Sequence, residues 1–380
     1  MDNPALIKLA NTIYRMFNIF PVKKNRVMFS SFYGKRYGDN PRYISELLHE
    51  RNPELEIIWE KAKGEEPDFP DYVKSVRVNT PAQFLALATS RVWVDSHLKP
   101  FWMSKRKNQF FIDTWHGGLG FKKLYSDISG KDSRQDIKNY AHSSNLANAF
   151  IANSDFEASL YTGPLQYNGR ILKYGNARND VFFKDNSETV TRVRKFFKAD
   201  DEMLVLYVPT FRDEFNPADY ALDLAGLRTA VRERFNKECK ILVRLHPLTG
   251  VPADTLFKFD GEDIDATDYP SVQDLVMAAN LLITDYSSTV FDFALLKRPA
   301  FLFVPDLKKY TAERGLYEES IEAYPFPSAE DNTGLCEKIA AYDESEYLRN
   351  LNAYMKKCGL AESGEATLKT VKLIEKVIAK

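Results

Sequence analysis

Short apolar runs alternate with stretches of helical spacing along most of this chain. Runs at 27–32, 55–59, 72–78, 92–95, 109–114 and 150–152 read as strands. Apolar residues at helical spacing fill 41–51, 81–89, 145–149 and 155–162. This β-α-β rhythm predicts a parallel sheet with helices on its faces. A charged helix at 188–198 opens a second series, with strands at 203–208 and 241–245 around a helix at 227–238. The stretch 281–305 is the clearest unit of that series. Leu281-Leu282-Ile283 is a buried strand, Thr284 to Ser288 break the run, and Val290, Phe291, Ala294 and Leu295 resume at helical spacing until Arg298-Pro299. Residues 300–304 form the next buried strand. Between the two series, 173–180 is polar and without period, and is predicted to be a hinge. Asp263-Ile264-Asp265 imitates a metal-binding pair but lies in an acidic tract, and reads as solvated surface.

The first forty residues follow another pattern. Pro4 suits the first turn of a helix whose one face carries Leu6, Leu9, Ala10, Ile13, Phe17 and Phe20, with Met16 beside them. Lys8, Asn11, Thr12, Arg15 and Asn18 take the other face, Pro21 ends the helix, and no acidic residue occurs between Asn3 and Gly38. An aromatic apolar face beside a purely basic one suits an anionic membrane surface. The alternative is a helix docked on its own core.

At 380 residues the chain is too long for one comfortable core and predicts two α/β domains, at 25–172 and 173–380, behind an amphipathic segment at 1–24. Net charge is −1, which gives no reason to expect nucleic acid as a partner. Cys239, Cys336 and Cys358 are far apart and outside any CxxC, so a reducing compartment without disulfides or a zinc site is expected. There is no signal peptide, no run of 18 apolar residues and no GxGxxG. A location in the cytosol, or peripherally on the cytoplasmic face of the membrane, follows as an expectation.

Candidate chemistry falls at the strand ends, where open α/β sheets bind ligands. His116 follows the strand at 109–114 and precedes Gly117, Gly118 and Gly120, which admit close backbone approach, and then Lys122 and Lys123. A neutral histidine there can take a proton from a hydroxyl near pH 7. In the second series, strand ends carry Thr210, Arg244, His246, Ser287 and Ser288. An Arg, a His, a Thr and a helix start with paired serines suit one phosphate-rich ligand. An ordinary N-cap and a glycine turn beside a satisfied histidine are the plain alternatives.

The segments KKNRVMFSSFYGKRYGDNPRYI, TWHG, YGNARND, VPTFRDE, RLHP and TDYSSTVFDF occur in order over nearly the whole chain. Together they resemble the CDP-glycerol glycerophosphotransferase family, the teichoic acid polymerases and primases. The resemblance implies a GT-B fold, with two Rossmann-like domains facing across a cleft, the first for the acceptor and the second for the CDP-polyol donor. It implies His116 and His246 as the essential histidines. It also implies Gly117, Gly118, Leu119, Gly120, Arg178, Pro209, Thr210, Arg244, Ser287, Ser288 and Asp292 as donor-binding residues. Departures fall at Gly117–Gly120, where teichoic acid polymerases carry a Thr-Pro pair, and at Asn176-Ala177, where an aromatic-Pro is usual. The implied reaction is attack of an acceptor hydroxyl on the β-phosphate of CDP-glycerol, with loss of CMP and no metal or cofactor. His116 is the expected base, with His246 and Arg244 on the diphosphate; exchange of the two histidine roles stays open. So do CDP-ribitol as donor, a GT-B enzyme moving a sugar, a non-catalytic scaffold, and a capsular rather than teichoic polymer.

Overall fold

The computed structural model describes residues 4–128 and 134–380. Two compact units result. One takes in 1–118, 124–183 and 359–380; the other takes in 119–123 and 184–358.

The first unit is built on a seven-stranded sheet: β1 (Lys23–Ser30), β2 (Glu56–Lys61), β3 (Lys74–Arg77), β4 (Ser90–Asp95), β5 (Phe110–Asp113), β6 (Ala149–Ala152) and β7 (Arg170–Lys173). Its order is β3-β2-β1-β4-β5-β6-β7, with every pairing parallel. Successive residues of a strand point to opposite faces, and here both faces are apolar. Val27, Phe29, Ile57, Trp59, Val92 and Val94 face one way, under the helices Asp39–Arg51 and Ala366–Ile378. Met28, Ile58, Trp93 and Phe111 face the other, under Pro81–Thr89 and Asp155–Thr162.

The second unit repeats this plan with β8 (Met203–Val208), β9 (Cys239–Val243), β10 (Asp263–Asp265), β11 (Leu281–Thr284), β12 (Ala300–Phe303) and β13 (Ser328–Ala329). Its order is β10-β9-β8-β11-β12-β13, again parallel throughout. Strand order reverses beside β1 in one unit and beside β8 in the other. Ligands of doubly wound sheets bind at such reversals, beyond the carboxyl ends of the strands.

Several sequence expectations change. The boundary predicted at 172/173 falls instead at 183/184, and residues 359–380 return to the first unit. The cause is the need for cover: Val371, Ile374 and Val377 of the last helix close one apolar face of the first sheet, each contributing about 1.5–3 kcal/mol on burial. The predicted hinge at 173–180 belongs to the first unit, with Asn176, Ala177, Arg178, Asn179 and Asp180 buried. Asp263-Ile264-Asp265 is edge strand β10 rather than a solvated loop. The Asp263 carboxylate is buried and paired with Arg228 Nη1 at 2.6 Å. The helix read at 145–149 lies earlier, at Arg134–Asn145, and Ala149 already belongs to β6.

The N-terminal helix is present at Pro4–Met16, followed by a tight 3₁₀ turn at Phe17–Ile19, so it ends before Pro21. The predicted start at Asn3 and the Leu6 side chain lie outside what is described. Tyr14, absent from the predicted face, is the anchor: it is fully buried, edge-on to Phe84 and Trp102, and its hydroxyl donates to the Ser104 carbonyl at 2.9 Å. Leu9, Ile13, Met16 and Phe20 remain exposed, at 54, 37, 65 and 44%. Leu9, Ile13 and Met16 lie at i, i+4 and i+7, so a second apolar stripe runs beside the docked one, and Phe20 follows it in extended backbone past the turn. Among the described residues, no helix is long and apolar enough to cross a membrane.

Candidate active site

In the first unit, the ends of β4 and β5 lead into Asp95-Ser96-His97 and Asp113-Thr114-Trp115-His116. His116 is exposed, and its Nδ1 lies 2.8 Å from the Ser96 carbonyl oxygen. A carbonyl only accepts, so Nδ1 carries the hydrogen, and in the neutral form of the ring the lone pair is at Nε2. His97 stacks on this ring, with centroids 4.1 Å apart and planes 7° from parallel. Tyr33 packs against His97, with centroids 4.3 Å apart. Trp115, Phe32, Tyr33 and Asp39 all hold positive φ, between 48° and 56°. Non-glycine residues in that region are strained by about 1–3 kcal/mol each, and such strain gathers at functional sites.

Beneath the rings lies a buried charge cluster. Lys99 Nζ contacts Asp95 Oδ2 at 2.7 Å and Glu60 Oε1 at 3.0 Å. Burial opposes the Lys99 charge, but Asp95 and Glu60 outweigh it and hold the ammonium above its usual range. Burial raises Asp95 to about 6 despite Lys99. Burial and then Asp95 raise Asp113 well above the usual carboxylate range, while its Oδ1 accepts the Trp115 N–H at 2.8 Å. Burial, then His116 and Lys99, push His97 down to about 2. His97 is therefore neutral when folded and protonates near 6.5 when unfolded. The unfolded state binds more protons below that value, so stability falls as pH drops through 6.5 towards 2. His97→Gln is expected to relieve about 2 kcal/mol of this acid sensitivity at pH 5. Thermal melts of both proteins from pH 7.5 to 5 check it; parallel pH dependence would contradict the neutral, buried ring.

The loop after His116 is tied down from the same unit. Arg178 Nη2 donates to the Gly117 carbonyl at 2.6 Å, and Nη1 pairs with Asp39 Oδ1 at 2.8 Å. The Arg178 N–H reaches Asn40 Oδ1 at 3.0 Å, and Asn176 Nδ2 also donates to Gly117 O, at 3.3 Å. A Cβ on Gly118 would lie 2.7 Å from Asn153 Nδ2, so any side chain there would collide. Arg178, expected on the donor, thus fixes the loop in this structure.

In the second unit, β8 runs into Pro209-Thr210 and β11 into Asp285-Tyr286-Ser287-Ser288, the pair of strand ends at the order reversal. Asp285 accepts from the Thr210 N–H at 2.9 Å and from Thr210 Oγ1 at 2.6 Å. Arg212 locks the arrangement: Nη1 pairs with Asp285 Oδ2 at 2.9 Å, while Nε and Nη2 grip both oxygens of Asp306, at 2.6 and 3.0 Å. Burial alone would lower the Arg212 pKa, but Asp306 and Asp285 raise it. Tyr286 and Tyr310 stack at 3.6 Å, and the guanidinium lies over both rings. A small pocket beside this core is lined by cations and acids together, Lys122, Arg212 and Arg314 with Asp213 and Glu313. Burial and then Arg314 lower the Lys122 pKa.

His246 has the opposite ring state to His116. Its Nδ1 accepts the Leu248 N–H at 3.1 Å, so the neutral ring carries its hydrogen at Nε2, as a donor. Ser287 Oγ donates to Thr289 Oγ1 at 3.0 Å and accepts the Thr289 N–H at 3.3 Å, and Ser288 makes no side-chain cap. The helix they precede, Thr289–Ala294, is short, with Asp292 buried inside it. Arg244 Nη1 donates to the carbonyls of Ala266, at 3.0 Å, and Tyr269. The Thr210 hydroxyl and Arg244 Nη1, expected on a ligand, are thus engaged within the protein.

A family model described as CDP-Glycerol:Poly(glycerophosphate) glycerophosphotransferase matches residues 12–376. The chain belongs to this glycerophosphotransferase family. It is 30% identical to the teichoic acid poly(glycerol phosphate) polymerase of Bacillus subtilis (strain 168), over 99% of this chain but 52% of that protein, so it spans about half of that relative. It is 28% identical to the teichoic acid glycerol-phosphate transferase of Staphylococcus aureus (strain NCTC 8325 / PS 47), over 96% of each. Among solved structures, a variant of the wall teichoic acid polymerase TagF soaked with CDPG superposes with a TM-score of 0.85 at 26% identity, over 97% of this chain and 94% of that one. The fold is accordingly GT-B-like, made of two doubly wound α/β units.

Within this member of the family, the predicted residues divide between the units. His116, Gly117, Gly118 and Arg178 belong to the first; Leu119, Gly120, Pro209, Thr210, Arg244, His246, Ser287, Ser288 and Asp292 belong to the second. Sequence reading passed over His97, although it stands two residues past a predicted strand, where the strand-end rule points. It also missed the Arg212–Asp285–Asp306 core, because Arg212 is far in sequence from both carboxylates, 94 residues from Asp306.

Proposed function

We propose that this protein transfers a polyol phosphate, glycerol phosphate from CDP-glycerol in the first instance, to a hydroxyl of a membrane-linked acceptor. CMP is released, and the product is a teichoic-acid-like or capsular polymer. The observation that carries this reading is the opposite ring state of the two histidines, in a chain of this family. His116 offers a lone pair at Nε2 and His246 a hydrogen at Nε2. A phosphoryl transfer from a CDP-polyol calls for one of each.

In this mechanism the acceptor oxygen forms a bond to the β-phosphorus as its proton passes to His116 Nε2. The bond from that phosphorus to the bridging oxygen breaks, and its electron pair leaves with CMP. His246 Nε2–H and the backbone donors at Ser287–Ser288 meet the charge on the diphosphate. Stacked, neutral His97 holds the His116 ring flat, and the charge cluster below holds His97. The scheme assigns no metal or cofactor beyond the CDP-polyol itself. The test is CMP release from purified protein given CDP-glycerol, CDP-ribitol or a UDP-sugar with hydroxyl acceptors. Release from the UDP-sugar alone would replace this reading with a glycosyltransferase, and binding without turnover would replace it with a scaffold.

The acceptor's membrane link gives the exposed stripe of the N-terminal helix a role, on the cytoplasmic face as a peripheral contact. Leu9, Ile13, Met16 and Phe20 supply the apolar edge, while Lys8 and Arg15 are also exposed and face anionic headgroups. Ile13→Asp with Phe20→Asp is expected to release the protein from anionic vesicles with far-UV circular dichroism unchanged, since each buried apolar side chain adds about 1.5–3 kcal/mol to partition. Loss of the fold in that variant would show the stripe to be core.

A further inference from the structure

A second basic site lies on the first unit, apart from His116. The last helix, Ala366–Ile378, forms one wall of a groove whose opposite side carries Phe110, Arg170 and Tyr174. Lys372 and Lys376 are exposed along that wall, and Lys380 continues the line. Lys369 is tied to Glu365 at 3.2 Å, whereas Lys372, Lys376 and Arg170 have no ion-pair partner among the described residues. Among the described residues, no Asp or Glu side chain lines the groove. The one acid on this stretch of the helix, Glu375, points elsewhere, to Arg51 and Asn52. Between the cations the surface is carbon: the rings of Phe110 and Tyr174 and the edges of Leu373 and Val377.

We propose that this groove binds the polyol-phosphate chain on which the enzyme acts, away from the reacting end; the inference rests on the function proposed above. Lys372 and Lys376 are one turn apart, about 6 Å along the helix axis. Successive phosphates of a glycerol-phosphate chain are separated by six bonds, about 7 Å when extended, the reach of two residues of extended backbone. Consecutive lysines therefore meet consecutive phosphates, and the intervening three-carbon units lie on the apolar floor. A bilayer is the other anionic partner, but a flat surface does not enter a concave groove. Held there, the growing chain stays at high local concentration near the enzyme between transfers.

The test compares wild type with Lys372→Glu/Lys376→Glu, and with Lys372→Gln/Lys376→Gln as the milder form. Binding of oligo(glycerol phosphate) is measured against salt, beside binding to phosphatidylglycerol vesicles and CMP release with a short acceptor. Charge reversal is expected to weaken oligomer binding about tenfold or more, and both variants to lower the salt slope by about two, one per lost phosphate contact. CMP release with the short acceptor is expected to be unchanged, and products from a long acceptor shorter. Unchanged oligomer affinity would overturn the proposal, as would loss of vesicle binding with oligomer binding intact. Failure of wild type to release CMP would sink the proposed function instead, and it is read independently of oligomer binding.

Discussion

His116→Ala is expected to lose roughly 10²–10⁴-fold in CMP release, the usual scale for removing a general base. Its affinity for the CDP-polyol is expected to stay near that of wild type. The reason is the hydrogen bond to the Ser96 carbonyl, which fixes Nδ1 as the protonated nitrogen and leaves Nε2 to accept. His246→Ala is expected to damage donor affinity as well as rate, because its Nε2 is a donor held in place by the Leu248 N–H. Calorimetric donor affinity beside CMP release, for both variants, separates the roles. Loss of affinity in His116→Ala with affinity kept in His246→Ala would reverse them. Full turnover in both would remove the histidines from the chemistry.

The second large effect is expected on stability. Arg212→Ala strips the cation from two buried carboxylates, Asp285 and Asp306, that it holds through Nη1, Nε and Nη2. Breaking a buried pair by removing one partner costs about 3–5 kcal/mol, since the orphaned charges stay in a poor solvent. The Thr210 turn would loosen with it, because Asp285 holds both the Thr210 N–H and its hydroxyl. Arg212→Lys keeps the charge but loses the planar fork, and is expected to fall between. Urea unfolding followed by near-UV circular dichroism measures both. In Arg212→Ala, a raised carboxylate pKa means the folded state binds the extra proton. The deficit is therefore expected to shrink as pH falls towards the ordinary carboxylate range. A variant as stable as wild type at pH 7 would show that the core does not depend on the ion pair.

The sequence by itself determined the repeated parallel α/β plan and which residues stand at strand ends. Both are local properties. A strand buried on two faces reads as an unbroken apolar run, so Met203–Val208 and Leu281–Thr284 were legible within a residue. Helix starts with a capping residue were equally legible, as at Pro81–Thr89 and Asp155–Thr162, where Thr80 and Ser154 accept N–H groups of the first turn. His116, His246, Ser287 and Ser288 were placed just past strand ends, the region where such sheets bind ligands. Edge strands β7, β10 and β13 were missed, since an edge is half solvated and carries too little apolar signal.

Only the tertiary structure decided what each polar group does. Ring states depend on the partner of one nitrogen, and Ser96 O lies 20 residues from His116 in sequence. Arg244 and Thr210 read as free donors, yet Arg244 Nη1 goes to the carbonyls of Ala266 and Tyr269 and the Thr210 hydroxyl goes to Asp285. Buried polar groups must find partners, and those partners come from wherever the chain returns. Burial of apolar surface moved the domain boundary: one apolar face of the first sheet needed cover, and the last helix, Ala366–Ile378, supplies part of it.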